Sequence, residues 1–145
     1  MEWRNGDLTI SDDRSRMDRE GVHAFLADSY WARGIPREIV DRSIDNSLCF
    51  GLYENGRQIG FARVITDYAT FGYLSDVFVL ESHRARGLAT WLMRVVLGHP
   101  DLRGLRRWVL VTRDAQELYR KLGFRDLEDP SRYMEIVDRD AYARR

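Results

Sequence analysis

With one cysteine, Cys49, among its 145 residues, the chain can form no internal disulfide, and a reducing, cytoplasmic setting is the expected one. It also lacks a charge surplus, since 23 Lys and Arg stand against 23 Asp and Glu. That balance excludes a surface built throughout for nucleic acid or anionic membrane, so any anion site has to be local. No apolar run approaches the roughly 18 to 20 residues that a membrane-spanning helix needs. His23, His83 and His99 have no metal-site spacing, and no metal is expected. Gly-x-Gly-x-x-Gly does not occur, and internal repeats and low-complexity tracts are missing too. What remains suits one domain over residues 1–145, long enough to bury a core.

The pattern of apolar residues orders the elements. Residues 7–11 alternate weakly and read as a first strand, followed by a solvated charged run over 12–16. From Asp18 to about Tyr30, the residues Val22, Phe25, Leu26 and Tyr30 recur at helical intervals. Pro36 opens a second helix carrying Ile39, Val40 and Ile44. Residues 48–53 and 58–66 are strand-like and flank Asn55-Gly56, a strong hairpin signal. A turn near 67–70 leads to a further strand, Phe71–Val79, completing a three-strand meander. A helix then spans 87 to about 97, a strand 106–112, and a helix 115–122 that Asp114 can cap and Gly123 ends. A last strand is expected within residues 133–137. The fold class is therefore α/β of the α+β kind: a mixed, mostly antiparallel sheet of six to seven strands flanked by about four helices.

One stretch carries chemistry. Residues 77–93 run from a β-branched strand through a short turn with Arg84, Arg86 and Gly87 straight into a helix. The first N–H groups of such a helix have no carbonyl partners and point at the turn. The helix dipole and two arginines add positive charge there, so a phosphate or pyrophosphate is the natural guest.

At this point the residues resemble a known family. Arg84-Ala85-Arg86-Gly87-Leu88-Ala89 fits the Arg/Gln-x-x-Gly-x-Gly/Ala signature of the GCN5-related N-acetyltransferases (GNAT) at every fixed position. Downstream, Ala115-Gln116-Glu117-Leu118-Tyr119-Arg120-Lys121-Leu122-Gly123-Phe124 resembles the family's Ala-x-x-Leu-Tyr-x-x-x-Gly-Phe helix and turn. The resemblance implies that the fourth and fifth strands splay apart and that acetyl-CoA is the acyl donor. Its pyrophosphate would rest on the amides of Arg84, Ala85, Arg86, Gly87, Leu88, Ala89 and Thr90. Its pantetheine arm would pair with Val77, Phe78 and Val79, and Asp114 stands where relatives often have a pantetheine-binding asparagine. Tyr119 occupies the place of the acid that protonates the leaving thiolate, and Asp76 and Glu81 are candidate bases for the amine.

The acceptor, a small-molecule or peptide amine, should lie opposite the thioester end, with Tyr30, Trp31, Tyr68 and Phe71 as candidate walls. The cluster Arg103-Gly104-Leu105-Arg106-Arg107 reads as a loop before a strand, with reach to the adenosine 3′-phosphate as the functional alternative. Acetyl transfer from acetyl-CoA to a primary amine in a ternary complex is the expected activity. A catalytically weak acyl-CoA binding or sensing domain is the alternative. No nucleic-acid or membrane partner is expected, and a homodimer is a further expectation.

Overall fold

The computed structural model of the protein describes residues 1–143. Six strands form one sheet in chain order: β1 (Glu2–Asn5), β2 (Leu8–Ser11), β3 (Leu48–Glu54), β4 (Arg57–Thr66), β5 (Phe71–Val79) and β6 (Arg107–Leu110). All neighbours are antiparallel except β5 and β6, which run parallel. Four α-helices flank it: α1 (Arg19–Asp28), α2 (Arg37–Asp45), α3 (Leu88–Leu97) and α4 (Gln116–Lys121). None of the described helices is long and apolar enough to cross a membrane.

Local chemistry explains the turns. Asn55 and Gly56 have φ of +51° and +82°, the left-handed pair that a two-residue hairpin turn demands. At the next turn, Asp67 accepts the amides of Thr70, Ala69 and Phe71 and the Thr70 hydroxyl, which together hold its carboxyl far below the usual carboxylate range. Helix α1 starts under a cap, the Asp18 carboxylate accepting the Gly21 amide at 3.0 Å. It stops at Asp28, short of Tyr30, because Ser29 turns its hydroxyl onto the Leu26 carbonyl and takes the Ala32 amide.

Side chains alternate across the sheet and feed two cores. On one face Phe50, Leu52, Ala62, Val64 and Leu74 pack with Leu88, Leu92, Met93 and Val96 of α3 and with Tyr119 of α4. On the other, Cys49, Phe61 and Phe78 pack with Val22 and Leu26 of α1 and Val40 and Ile44 of α2. Burial pushes the Cys49 thiol up to about 12, so it behaves as a small apolar side chain.

Three expectations are corrected. A strand not legible in the sequence, β1, precedes β2 as its hairpin partner, so the expected fourth and fifth strands are β5 and β6. No strand forms within 133–137. Residues 133–138 join no ladder, and Met134 and Ile136 stand fully in solvent at 97% and 102% exposure. Asp114 does not cap α4: the Ala115 amide is taken by Thr112 Oγ1 at 3.1 Å, while Asp114 lies exposed beside Arg113.

Candidate active site

β5 ends at Val79, and after Leu80 a single 3-10 turn, Glu81–His83, leads into the arginine loop. The Arg84 amide bonds the Glu81 carbonyl, and the Trp91 amide closes the first turn of α3 onto Gly87 O. Among the described residues, the amides of 85–90 between them take no backbone acceptor. Ala85 and Gly87 both sit at positive φ, +64° and +74°, which curls successive amides to one side as an anion-binding concavity. Gly87 is the N-cap of α3, and no atom lies within 4 Å of where its Cβ would stand, so the backbone there is open to a ligand.

The arginine side chains are partly committed elsewhere. Glu54, at the end of β3, accepts Arg86 Nη2 at 2.9 Å and contacts His83 Nε2 at 3.1 Å. The Arg86 bond, opposed by burial and helped by His83, holds the Glu54 carboxyl below its usual value. Arg84 spends its Nε on the Val79 carbonyl at 3.1 Å. An anion held here would therefore rest chiefly on backbone amides, with the side chains shaping the loop.

Beside this loop the sheet forks. β5 and β6 pair only from Phe71↔Arg107 to Leu74↔Leu110, so among the described residues Ser75 to Val79 have no strand on that side. The expected splay is present. On its other side β5 carries a bulge, since Phe61 faces Phe78 and Arg63 faces Ser75, leaving Asp76 and Val77 opposite Ala62. Asp76 has φ +55°, a costly conformation for a residue with a Cβ. Its carboxylate offsets that cost by accepting Arg63 Nε and Trp31 Nε1, each at 2.9 Å. Arg63 in turn donates to the hydroxyls of Ser47 and Ser75. Asp76 is thereby the brace of the bulge, with both oxygens engaged. Glu81, the other candidate base, lies exposed at the start of the 3-10 turn.

Aromatic side chains line the α1 side of the fork. Phe78 stacks on Phe25 with centroids 3.8 Å apart, Phe25 meets Trp31 at 6.3 Å, and Trp31 meets Tyr30 edge-on at 5.2 Å. The Arg113 guanidinium lies 3.8 Å over the Tyr30 ring while its amide donates to the Tyr30 hydroxyl. Tyr30 and Trp31 are thus brought to the site. Tyr68 and Phe71 are not, because Phe71 lies five residues before Asp76, roughly 16 Å along the strand.

Tyr119 is buried in α4 against Phe124 and borders a cavity of about 310 Å³ with Leu110, Val111, Thr112 and Gln116. Burial, with Tyr30 nearby, pushes its phenol up to about 12, so it holds its proton at neutral pH. Arg106 and Arg107, just before and at the start of β6, lie beside Thr70 and Phe71, eight residues from the anion loop's end of β5, or about 26 Å. They do not reach a ligand held there. Sequence reading missed Glu54, Arg63, Phe25 and Thr112. Of these only Arg63 leaves a signal, a lone charge inside the apolar run of β4.

Comparison with known proteins agrees with this geometry. Residues 14–124 match the profile of the Acetyltransferase (GNAT) family. A candidate acetyltransferase of Gibberella zeae is 31% identical over 151 residues, covering 88% of this chain and 84% of its own. The crystal structure of a candidate GNAT acetyltransferase from Xanthomonas campestris pv. campestris superposes with a TM-score of 0.91 at 49% identity, over 94% of this chain and 96% of that one. A candidate acetyltransferase of Clostridium acetobutylicum, determined with acetyl-CoA, shares the fold at 18% identity and a TM-score of 0.68, over 90% of this chain and 96% of its own. With its open helix N-terminus, forked sheet and both signature motifs, the chain belongs to the GNAT acetyltransferase family.

Proposed function

We propose that the protein transfers an acetyl group from acetyl-CoA to the primary amine of a small molecule or peptide, by direct attack within a ternary complex. The observation that carries this reading is the alignment of the amide concavity over 85–90 with the fork of β5 and β6, on one strand end. The residues fit the donor. A curled row of amides with an open Gly87 suits a pyrophosphate, and Val77, Phe78 and Val79 offer strand edge to an extended amide-bearing arm.

Bound acetyl-CoA supplies an activated thioester. The β5 edge holds backbone N–H groups beside the fork, where one of them can stabilise charge developing on the carbonyl oxygen. Tyr119 keeps a proton on its phenolic oxygen for the departing sulfur. The wall formed by Phe25, Trp31 and Tyr30 orients an amine carried on an apolar or aromatic body. Asp76 is occupied by Arg63 and Trp31, so the ammonium proton leaves through water, with Glu81 at the rim.

Mixing the protein with acetyl-CoA and a panel of amines should release free thiol. Tyr119→Phe should lower kcat by about 10²-fold or more while leaving the KM for acetyl-CoA nearly unchanged. Calorimetric binding of the donor with no thiol release on any amine would favour an acyl-CoA binding domain. A Tyr119→Phe protein as fast as the parent would remove the acid role.

A further inference from the structure

Tyr30 and Trp31 are neighbours in the loop after α1, and they tie down opposite branches of the forked sheet. Trp31 donates its indole N–H to Asp76 at 2.9 Å, two residues past the last paired position of β5. The Tyr30 hydroxyl accepts the Arg113 amide at 3.2 Å, three residues past the last paired position of β6. The dipeptide is therefore a crossbar over the mouth of the fork, and the Tyr30 phenol is close enough to help raise that of Tyr119. Both crossbar rings remain half in solvent, as a wall that waits for a ligand does.

The crossbar carries one fixed cation. The Arg113 guanidinium lies 3.8 Å over the Tyr30 ring, and its own backbone is pinned to the same residue. A side chain held this way has little freedom left to lose when a ligand pairs with it. It is nevertheless 64% exposed, and among the described residues its ion-pair partner is Asp114 alone, at 3.5 Å. That contact is longer than the about 2.7–2.9 Å of a charge-assisted N–H···O bond, and Asp114 is equally exposed, so a better-placed carboxylate can displace it. The other charges nearby are already matched. Asp76 is spent on Arg63 and Trp31, and Asp28 and Arg33, exposed at the end of α1 and in the loop, offset each other.

We infer that Arg113 selects the acceptor: the amine carries a carboxylate, which pairs with the Arg113 guanidinium while its apolar or aromatic body lies on Tyr30, Trp31 and Phe25. Two guanidinium N–H groups match the two oxygens of a carboxylate in one plane. Asp114 cancels part of the charge, so the site suits a singly charged acid better than a dianion. The inference rests on the transferase reading for the amine end of the ligand and on the crossbar for its acid end.

The test is titration calorimetry of matched pairs into full-length protein saturated with coenzyme A, with thiol release from acetyl-CoA followed in parallel. The pairs are phenylalanine against phenethylamine, 4-(aminomethyl)benzoate against benzylamine, and further amino acids against their decarboxylated amines. The acid member of a pair should bind about tenfold or more tighter and show a kcat/KM higher by a similar factor. Arg113→Gln should bring that ratio close to one, Arg113→Lys should keep part of it, and Asp114→Asn should raise it. Equal binding within every pair, failure of every acid to bind, or a ratio that survives Arg113→Gln overturns the inference. So does an Arg113→Gln protein in which both members weaken alike, since Arg113 would then only support Tyr30. Acid-selective binding with no thiol release upholds the Arg113 site and overturns the transferase reading instead.

Discussion

Removing the Asp76 carboxylate tests the brace at the bulge. The side chains of Asp76 and Arg63 are only 8% and 14% exposed, so their ion pair counts as buried. Asp76→Ala leaves the guanidinium with two serine hydroxyls and the Trp31 indole without its acceptor. Breaking one side of a buried pair costs about 3–5 kcal/mol, which for a domain of this size lowers Tm by roughly 6–20 °C. Asp76→Gly loses the same bonds but sheds the strain of a Cβ at φ +55°, worth about 1–2 kcal/mol, against about 0.5–1 kcal/mol of extra chain entropy. The glycine variant should therefore be the more stable of the two, by up to about 1.5 kcal/mol. Guanidinium unfolding followed by tryptophan emission and far-UV circular dichroism measures both differences. A loss below about 1 kcal/mol for Asp76→Ala would mean the pair behaves as an exposed one. An alanine variant more stable than the glycine variant would refute the strain argument.

Gly87→Asn should fold with little loss, because asparagine tolerates positive φ and nothing lies within 4 Å of the new Cβ, yet the KM for acetyl-CoA should rise about tenfold or more as the Cβ obstructs the phosphate; steady-state kinetics beside a thermal melt separates the two effects. Alkali should unfold the protein early: Cys49, Tyr53 and Tyr119 are pushed by burial to about 12, so the stability they contribute is whole below their ordinary values near 9 and 10 and is lost as pH rises to about 12, which a series of unfolding curves from pH 8 to pH 12 would show. Thr112→Val removes the hydroxyl that accepts the Ala115 amide and should cost about 1 kcal/mol, whereas Asp114→Ala should cost less; chemical denaturation of the pair checks which residue starts α4.

Much of this architecture was readable from local patterns. Asn55-Gly56 between two apolar runs dictates its hairpin, and the switch from strand alternation to helical spacing around Gly87 places the anion loop. β1 was hidden because Glu2, Arg4 and Asn5 are polar, and an edge strand with one neighbour needs little apolar pattern. The segment at 133–137 reads as a strand but pairs with no strand among the described residues, since a ladder also needs a neighbouring edge within reach. The role of Asp76 could not be read, because the bulge exists only once β4 and β5 choose a register and bring Arg63 and Trp31 to it. Thr112 lost to Asp114 on propensity alone, although its hydroxyl is three residues ahead of the amide it caps.

The fork has a thermodynamic corollary. A sheet that stops pairing halfway is complete only when something extended slides in, so on the proposed function the acyl donor would act as a removable rung of the fold. Occupancy should then be readable as heat resistance, the melting point climbing with the logarithm of donor concentration and gaining about 2.7 kcal/mol at a hundredfold excess over Kd.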